Sequence, residues 1–142
     1  MRPWLFLATF FLTLTASAQR PTPVKRVEID KTDQILRAYE ADKLVIQTNV
    51  STGKWDRSTP NGQFAAQSKQ RIHYSKLFKN APMPYSVEVV GNVFIHGFSS
   101  VPERPASHEC IRVPMTGANP AKQFFEWAEV GTPITITGQW PG

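Results

Sequence analysis

The chain has one cysteine and three histidines among its 142 residues. A lone cysteine rules out an internal disulfide, so nothing in the fold rests on cross-links. Charge is also sparse, at 19% of residues, and its lysines and arginines are scattered without forming a block. That spacing gives no reason to expect nucleic acid as a partner. No internal repeat and no low-complexity segment is present. Long apolar runs are missing as well. The one at the start, Trp4 to Thr15, falls short of the ~20 residues that cross a bilayer.

What is there begins with that run. Arg2 precedes it and Ala16-Ser17-Ala18 follows it, the small-x-small pattern of a signal peptidase site. Residues 1–18 are therefore expected to be a cleaved secretory signal rather than a stable membrane anchor, and no cysteine follows for lipid attachment. Polar, proline-rich residues 19–23 read as a linker, and residues 24–142 as a single domain. Loss of Arg2 leaves fifteen basic against eleven acidic residues, a net +4, compatible with an anionic envelope polymer or with ordinary solubility charge. No separate wall-binding module is expected, so targeting falls to this domain or a partner.

The domain alternates like half-buried strands. Val24–Ile29, Ile35–Tyr39, Lys43–Val50, Gly62–Gln67, Tyr85–Val90, Val93–His96 and Pro133–Thr137 are the strand candidates. In the third, Leu44, Ile46, Thr48 and Val50 are expected on the inner face. A helix is predicted over about 119–130, with Asn119 as cap and Pro120 in the first turn. Ala121, Phe124, Phe125 and Ala128 form its apolar face, and Gly131 follows it. The expected fold is mostly β, with one packed helix.

Chemistry concentrates in His96-Gly97 and in Ser107-His108-Glu109-Cys110-Ile111-Arg112. A thiol of pKa about 8.5 becomes a strong nucleophile when an imidazole takes its proton. His108 lies two residues from Cys110 and projects on its side of an extended chain. His96 is remote and free to approach across a cleft, which favours it as the base. His108 is left to orient Ser107 or the substrate, or to support the loop. Arg112 suits a substrate carboxylate, or else a structural salt bridge. Two other readings stay open for the cluster, a transition-metal site and a buried inert cysteine. For a metal, a further cysteine or close histidine is lacking. His73 has nothing to pair with and reads as surface, while Trp55 and Trp127 read as core or groove wall. Tyr85 suits a cleft or the core.

These residues resemble the L,D-transpeptidase catalytic domain family, whose signature is His-Gly at a strand end followed by Ser-His-Gly-Cys, an apolar residue and Arg or Asn. Further ordered resemblances are Ser51-Thr52-Gly53-Lys54, Thr59-Pro60-Asn61-Gly62-Gln63-Phe64, Met83-Pro84-Tyr85, and Phe125-Glu126-Trp127 with Gly131-Thr132-Pro133-Ile134. They span roughly Val27 to Thr137. The resemblance implies a β-sandwich-like catalytic domain acting, without cofactor or metal, on peptidoglycan stem peptides outside the cytoplasm, in the periplasm or cell wall. Cys110 would attack the L-centre carbonyl of the third residue, release D-alanine and pass the acyl group to an amine. That amine is a stem peptide, a lipoprotein lysine or a D-amino acid. Water as acceptor would make the protein an L,D-carboxypeptidase or endopeptidase, and a degenerate domain would only bind stem peptides.

By the same resemblance His96 is the base, oriented by the Gly97 carbonyl, and His108 shapes the loop. Backbone N–H groups around Glu109, Cys110 and Tyr85 form the oxyanion hole, and Arg112 and Ser107 lie on the substrate side. A working thiol is further expected to titrate below its ordinary value. Two departures stand out. Ten residues separate His96 from Ser107, fewer than usual, which opens the site. Glu109 replaces the family's glycine, so either the backbone there is ordinary or Glu109 accepts strain of about 1–2 kcal/mol. An outward-pointing Glu109 would alter acceptor choice.

Overall fold

In the computed structural model, residues 3, 9–17 and 21–141 are described. Of the expected signal and linker, 1–23, residues 1–2, 4–8 and 18–20 lie outside them, and the described residues 9–17 are exposed without regular structure. The strands are β1 (Lys25–Asp30), β2 (Ile35–Glu40), β3 (Lys43–Asn49), β4 (Gly62–Ala65), β5 (Ser68–Ser75), β6 (Ala81–Val90), β7 (Val93–Phe98), β8 (Ile111–Pro114) and β9 (Pro133–Thr137). The helix α1 is Pro120–Trp127. One sheet runs β3-β2-β1-β9-β4 and the other β5-β6-β7-β8.

The inner faces of both sheets supply one core. Val27, Ile29, Leu36, Ala38, Ile134 and Ile136 meet Val87, Val89, Ile95, Ile111 and Val113, with Phe124 and Ala121 of α1 among them. Every-second-residue burial is what a two-sheet sandwich demands. In β3 the alternation holds for Thr48 but fails for Leu44, which is 44% exposed. The register shifts between Ala38 and Tyr39, so that Ile46 faces Ala38 while Leu44 faces Tyr39. That bulge reverses the parity of everything before it and turns Leu44 outward.

Asn119 caps α1 through its side-chain oxygen, which accepts from the Lys122 N–H at 3.1 Å. The helix stops at Trp127, short of the predicted end at 130. The Lys25 ammonium takes the Trp127 carbonyl at 2.8 Å, and Ala128 turns extended. Gly131 serves the next turn instead, donating its N–H to the Ala66 carbonyl.

Three stretches fall outside the expected strands, the short β8 behind Cys110 and two others. Edge strand β5 is polar and largely exposed on both faces. The first half of β6 holds Pro82 and Pro84, which read as breakers. Both prolines pair with β5, and the pairing of β6 with β7 covers only Val87–Val90. Their missing N–H groups therefore face no partner strand. Before Ser86, β6 diverges from β7. Tyr85 sits there at φ 54°, and the Ser86 hydroxyl reaches back to the Met83 carbonyl at 2.8 Å. This divergence opens the cleft described next.

Candidate active site

Strands β7 and β8 run parallel, with His96 opposite Arg112 and Ile95 opposite Ile111. Cys110 enters β8 one residue before Ile111, so the period-two alternation puts His96, Cys110 and Arg112 on one face. All three line a cleft of ≈ 240 Å³, closed on the far side by Ala81, Pro82 and Met83 of the diverging β6. His108 and Ser107 line it too. A second cleft of ≈ 600 Å³ adjoins it and shares Cys110, His108, Met83, Phe78 and Ser75. Glu109, Glu88, Arg57 and His73 line the second cleft.

His96 is 4% exposed, and its Nδ1 lies 2.8 Å from the Gly97 carbonyl. A carbonyl oxygen only accepts, so the proton of the neutral ring is on Nδ1 and Nε2 is left with a free lone pair. Burial lowers the imidazole pKa to about 4, with Arg112 adding to the effect. Burial also pushes the Cys110 thiol upward, partly offset by the Phe94 N–H, while Glu109 pushes it further up. This reverses the expectation of a depressed thiol. At neutral pH the resting pair is thiol and neutral imidazole, in a pocket where Met83 and Phe94 enclose the sulfur. In this resting arrangement the thiol donates to the Asn92 carbonyl at 3.5 Å, so the two groups do not stand as an ion pair.

The loop before Cys110 is tied from behind. Glu109 has φ 80°, which settles the question left open by the sequence: the glutamate sits in the glycine region. Its carbonyl accepts the Thr59 hydroxyl at 2.6 Å, and Thr59 Oγ1 accepts the Gly53 N–H at 2.9 Å. The Thr52 carbonyl accepts both the Ala106 and Ser107 N–H groups. Gly53 is required here, because a Cβ would lie 1.9 Å from the Arg57 carbonyl oxygen and 2.9 Å from the Glu109 Cα.

Other expected site residues divide. Arg112 is half-buried with its guanidinium 4.0 Å over the Phe98 ring, and among the described residues no carboxylate pairs with it. A structural salt bridge is thus absent, and the charge faces the cleft. His108 is exposed and stacks on Phe78 at 4.7 Å between ring centroids. Ser107 differs from its expected substrate-binding role. It is 1% exposed and donates its hydroxyl to the Cys110 carbonyl, which makes it a brace of the loop. The Tyr85 side chain is not brought to the thiol, because its positive φ turns the ring onto Phe125 of α1 at 5.8 Å. Among the described residues no cluster of His, Cys, Asp and Glu fit for a metal is found.

The sequence reading missed His73 and Thr59 as parts of this site. His73 is not idle surface. It stacks on Phe94 at 4.5 Å and lines the larger cleft. Its pairing opposite Met83 on β5 brings it there, and no local motif announces that. Trp55, read as core or groove wall, is 88% exposed and walls a separate cleft.

Comparison with known proteins gives the family and the fold. The profile of the L,D-transpeptidase catalytic domain matches residues 24–136, and the chain belongs to that family. No curated protein matches the sequence. Among solved structures, an L,D-transpeptidase from Stackebrandtia nassauensis is similar at TM-score 0.76 and 25% identity, covering 89% of this chain and 61% of that one. One from Xylanimonas cellulosilytica has TM-score 0.68 and 31% identity, covering 84% and 65%. One from Mycobacterium smegmatis shares the fold at TM-score 0.72 and 19% identity, covering 81% and 59%. The chain thus spans about three fifths of the length of such relatives. No helix of the described residues is long and apolar enough to cross a membrane.

Proposed function

We propose that this protein is an L,D-transpeptidase acting on peptidoglycan stem peptides outside the cytoplasm, exported by a signal peptide over residues 1–18 and folded as one catalytic domain from residue 24. The observation that carries the reading is one cleft holding a thiol, an imidazole with Nε2 free to take a proton, and an arginine with no protein carboxylate.

In the first half-reaction His96 Nε2 takes the Cys110 proton as the sulfur attacks the L-centre carbonyl of the third stem residue. The tetrahedral oxyanion collapses, the C–N bond breaks, and the D-alanine amine leaves with the proton from His96. In the second, an acceptor amine attacks the thioester, gives its proton to His96, and the thiolate leaves and is reprotonated. Arg112 is suited to the terminal carboxylate of the donor through two parallel N–H···O bonds.

The oxyanion donors follow from the loop. In a trans peptide the N–H points opposite to the carbonyl. With the Glu109 carbonyl held on Thr59, the Cys110 N–H points away from Thr59. Such a donor contributes about 3–4 kcal/mol to the transition state. Glu109 and Glu88 line the larger cleft together with Arg57 and Lys76, and of these Glu109 is the one next to the thiol in sequence, where its carboxylate suits an amine acceptor.

Mass spectrometry of tetrapeptide muropeptides incubated with the protein, beside a Cys110→Ala control, tests the proposal. Cross-linked dimers or D-amino-acid exchange products support it. Tripeptides alone would reassign the enzyme to hydrolysis. Intact substrate without any Cys110 adduct would leave a binding domain.

A further inference from the structure

A cleft of ≈ 280 Å³ shares no lining residue with the two clefts at the thiol. Its walls are Trp55 and Trp140, and Lys31 is at its floor, with Gly53, Asn61 and Pro105 between. The two tryptophans expose apolar ring faces beside a concave polar surface. Trp55 is 88% exposed in the 3-10 turn Trp55–Arg57, a position that core packing does not explain. Lys31 is the reverse case, an ammonium only 7% exposed. It donates to the Thr59 carbonyl at 2.6 Å and to Ser58 Oγ at 3.1 Å, and among the described residues no carboxylate neutralises it. An ammonium has three donors, so one is left over. Burying such a charge costs free energy unless a further partner comes to it.

We propose that this cleft is a glycan subsite that holds a pyranose ring of the wall polysaccharide while the stem peptide of that strand occupies the thiol cleft. The flat C–H face of a pyranose is apolar and packs on an indole face. Its hydroxyl and acetamido oxygens need donors, which the indole N–H groups and the third N–H of Lys31 supply. A free peptide offers no such combination of flat ring and surrounding acceptors. The position fits a polymer that spans both sites. Trp55 walls this cleft, while Arg57, two residues on in the same turn, lines the larger thiol cleft. That turn is the ridge between them. The floor is mechanically joined to the active-site loop as well, because the Thr59 hydroxyl accepts from the Gly53 N–H and donates to the Glu109 carbonyl, while Lys31 holds the Thr59 carbonyl.

The choice of glycan rests on the peptidoglycan reading above, so the test is made independent of catalysis. Isothermal titration calorimetry of the full protein with the trisaccharide of N-acetylglucosamine is expected to show saturable binding, unchanged in Cys110→Ala. Trp55→Ala and Trp140→Ala should each weaken it by about tenfold or more, the loss expected for an aromatic anchor. Trp55 is exposed enough for its replacement to leave the fold intact. The absence of binding to wild type, or equal binding by Trp55→Ala, would overturn the assignment. Displacement of the trisaccharide by a sugar-free tetrapeptide would overturn it too and give the cleft to peptide. Failure of the catalytic reading would instead show as inactive wild-type protein that still binds the trisaccharide.

Discussion

Thr59 Oγ1 donates to the Glu109 carbonyl at 2.6 Å and so fixes the peptide that carries the Cys110 N–H. Fifty residues separate the two in sequence, and the hydroxyl also accepts from Gly53. One side chain thereby sets the back of the active-site loop.

Replacing that hydroxyl has a defined consequence. Thr59→Val leaves the Gly53 N–H and the Glu109 carbonyl without partners and should cost about 1–3 kcal/mol of stability. Acylation of Cys110 should slow by about tenfold or more, as one misdirected oxyanion donor would require. Thr59→Ser should restore both. Chemical denaturation and single-turnover kinetics read the two effects separately, and normal acylation in Thr59→Val would deny the positioning role.

Glu109 holds a positive φ that favours glycine. Glu109→Gly should therefore stabilise the fold by up to about 1 kcal/mol, seen as a raised melting temperature. It also removes a carboxylate from the larger cleft, so the ratio of amine-acceptor products to hydrolysis should fall while the acylation rate changes little. A large rise in acylation rate would mean that the glutamate is an inhibitory change.

Stability should depend on pH through His96. Its folded pKa of about 4 lies below the ordinary 6.5, so the unfolded chain binds more protons between those values. Stability from this group is full above about pH 6.5 and is lost as pH falls towards 4, by about 3 kcal/mol in all. His96→Gln should flatten the melting curve over that window. At the alkaline side the raised thiol makes alkylation of Cys110 climb later than that of a free cysteine. Iodoacetamide rates against pH measure this directly.

Arg112→Lys keeps a cation yet loses the planar fork and its contact with Phe98. The expected result is a KM raised by about tenfold or more for tetrapeptide donors, with kcat less affected. An unchanged KM would remove Arg112 from carboxylate recognition.

His96 and Cys110 could be singled out because their signal is local: a histidine at a strand end and a cysteine between His108 and Arg112 need no long-range knowledge. The sandwich was legible wherever one strand face is buried. The polar edge strand β5 escaped because neither of its faces is a core face, and His73 escaped with it. The parity of Leu44 was hidden by a bulge that alternation cannot register. The placements of the Tyr85 ring and the Ser107 hydroxyl could not be read from sequence for a common reason. Their roles hang on a positive φ and on one hydroxyl contact, which arise only when distant segments meet.

The central claim is that the Cys110 sulfur takes an acyl group with His96 as its base. Intact-protein mass spectrometry after brief exposure to a tetrapeptide donor tests it most directly. The account predicts a tripeptidyl thioester on Cys110 of the wild type, absent in Cys110→Ala and formed far more slowly in His96→Ala. A wild-type protein that releases D-alanine with no adduct in either the presence or absence of acceptor, or a His96→Ala variant acylated at the wild-type rate, would contradict it.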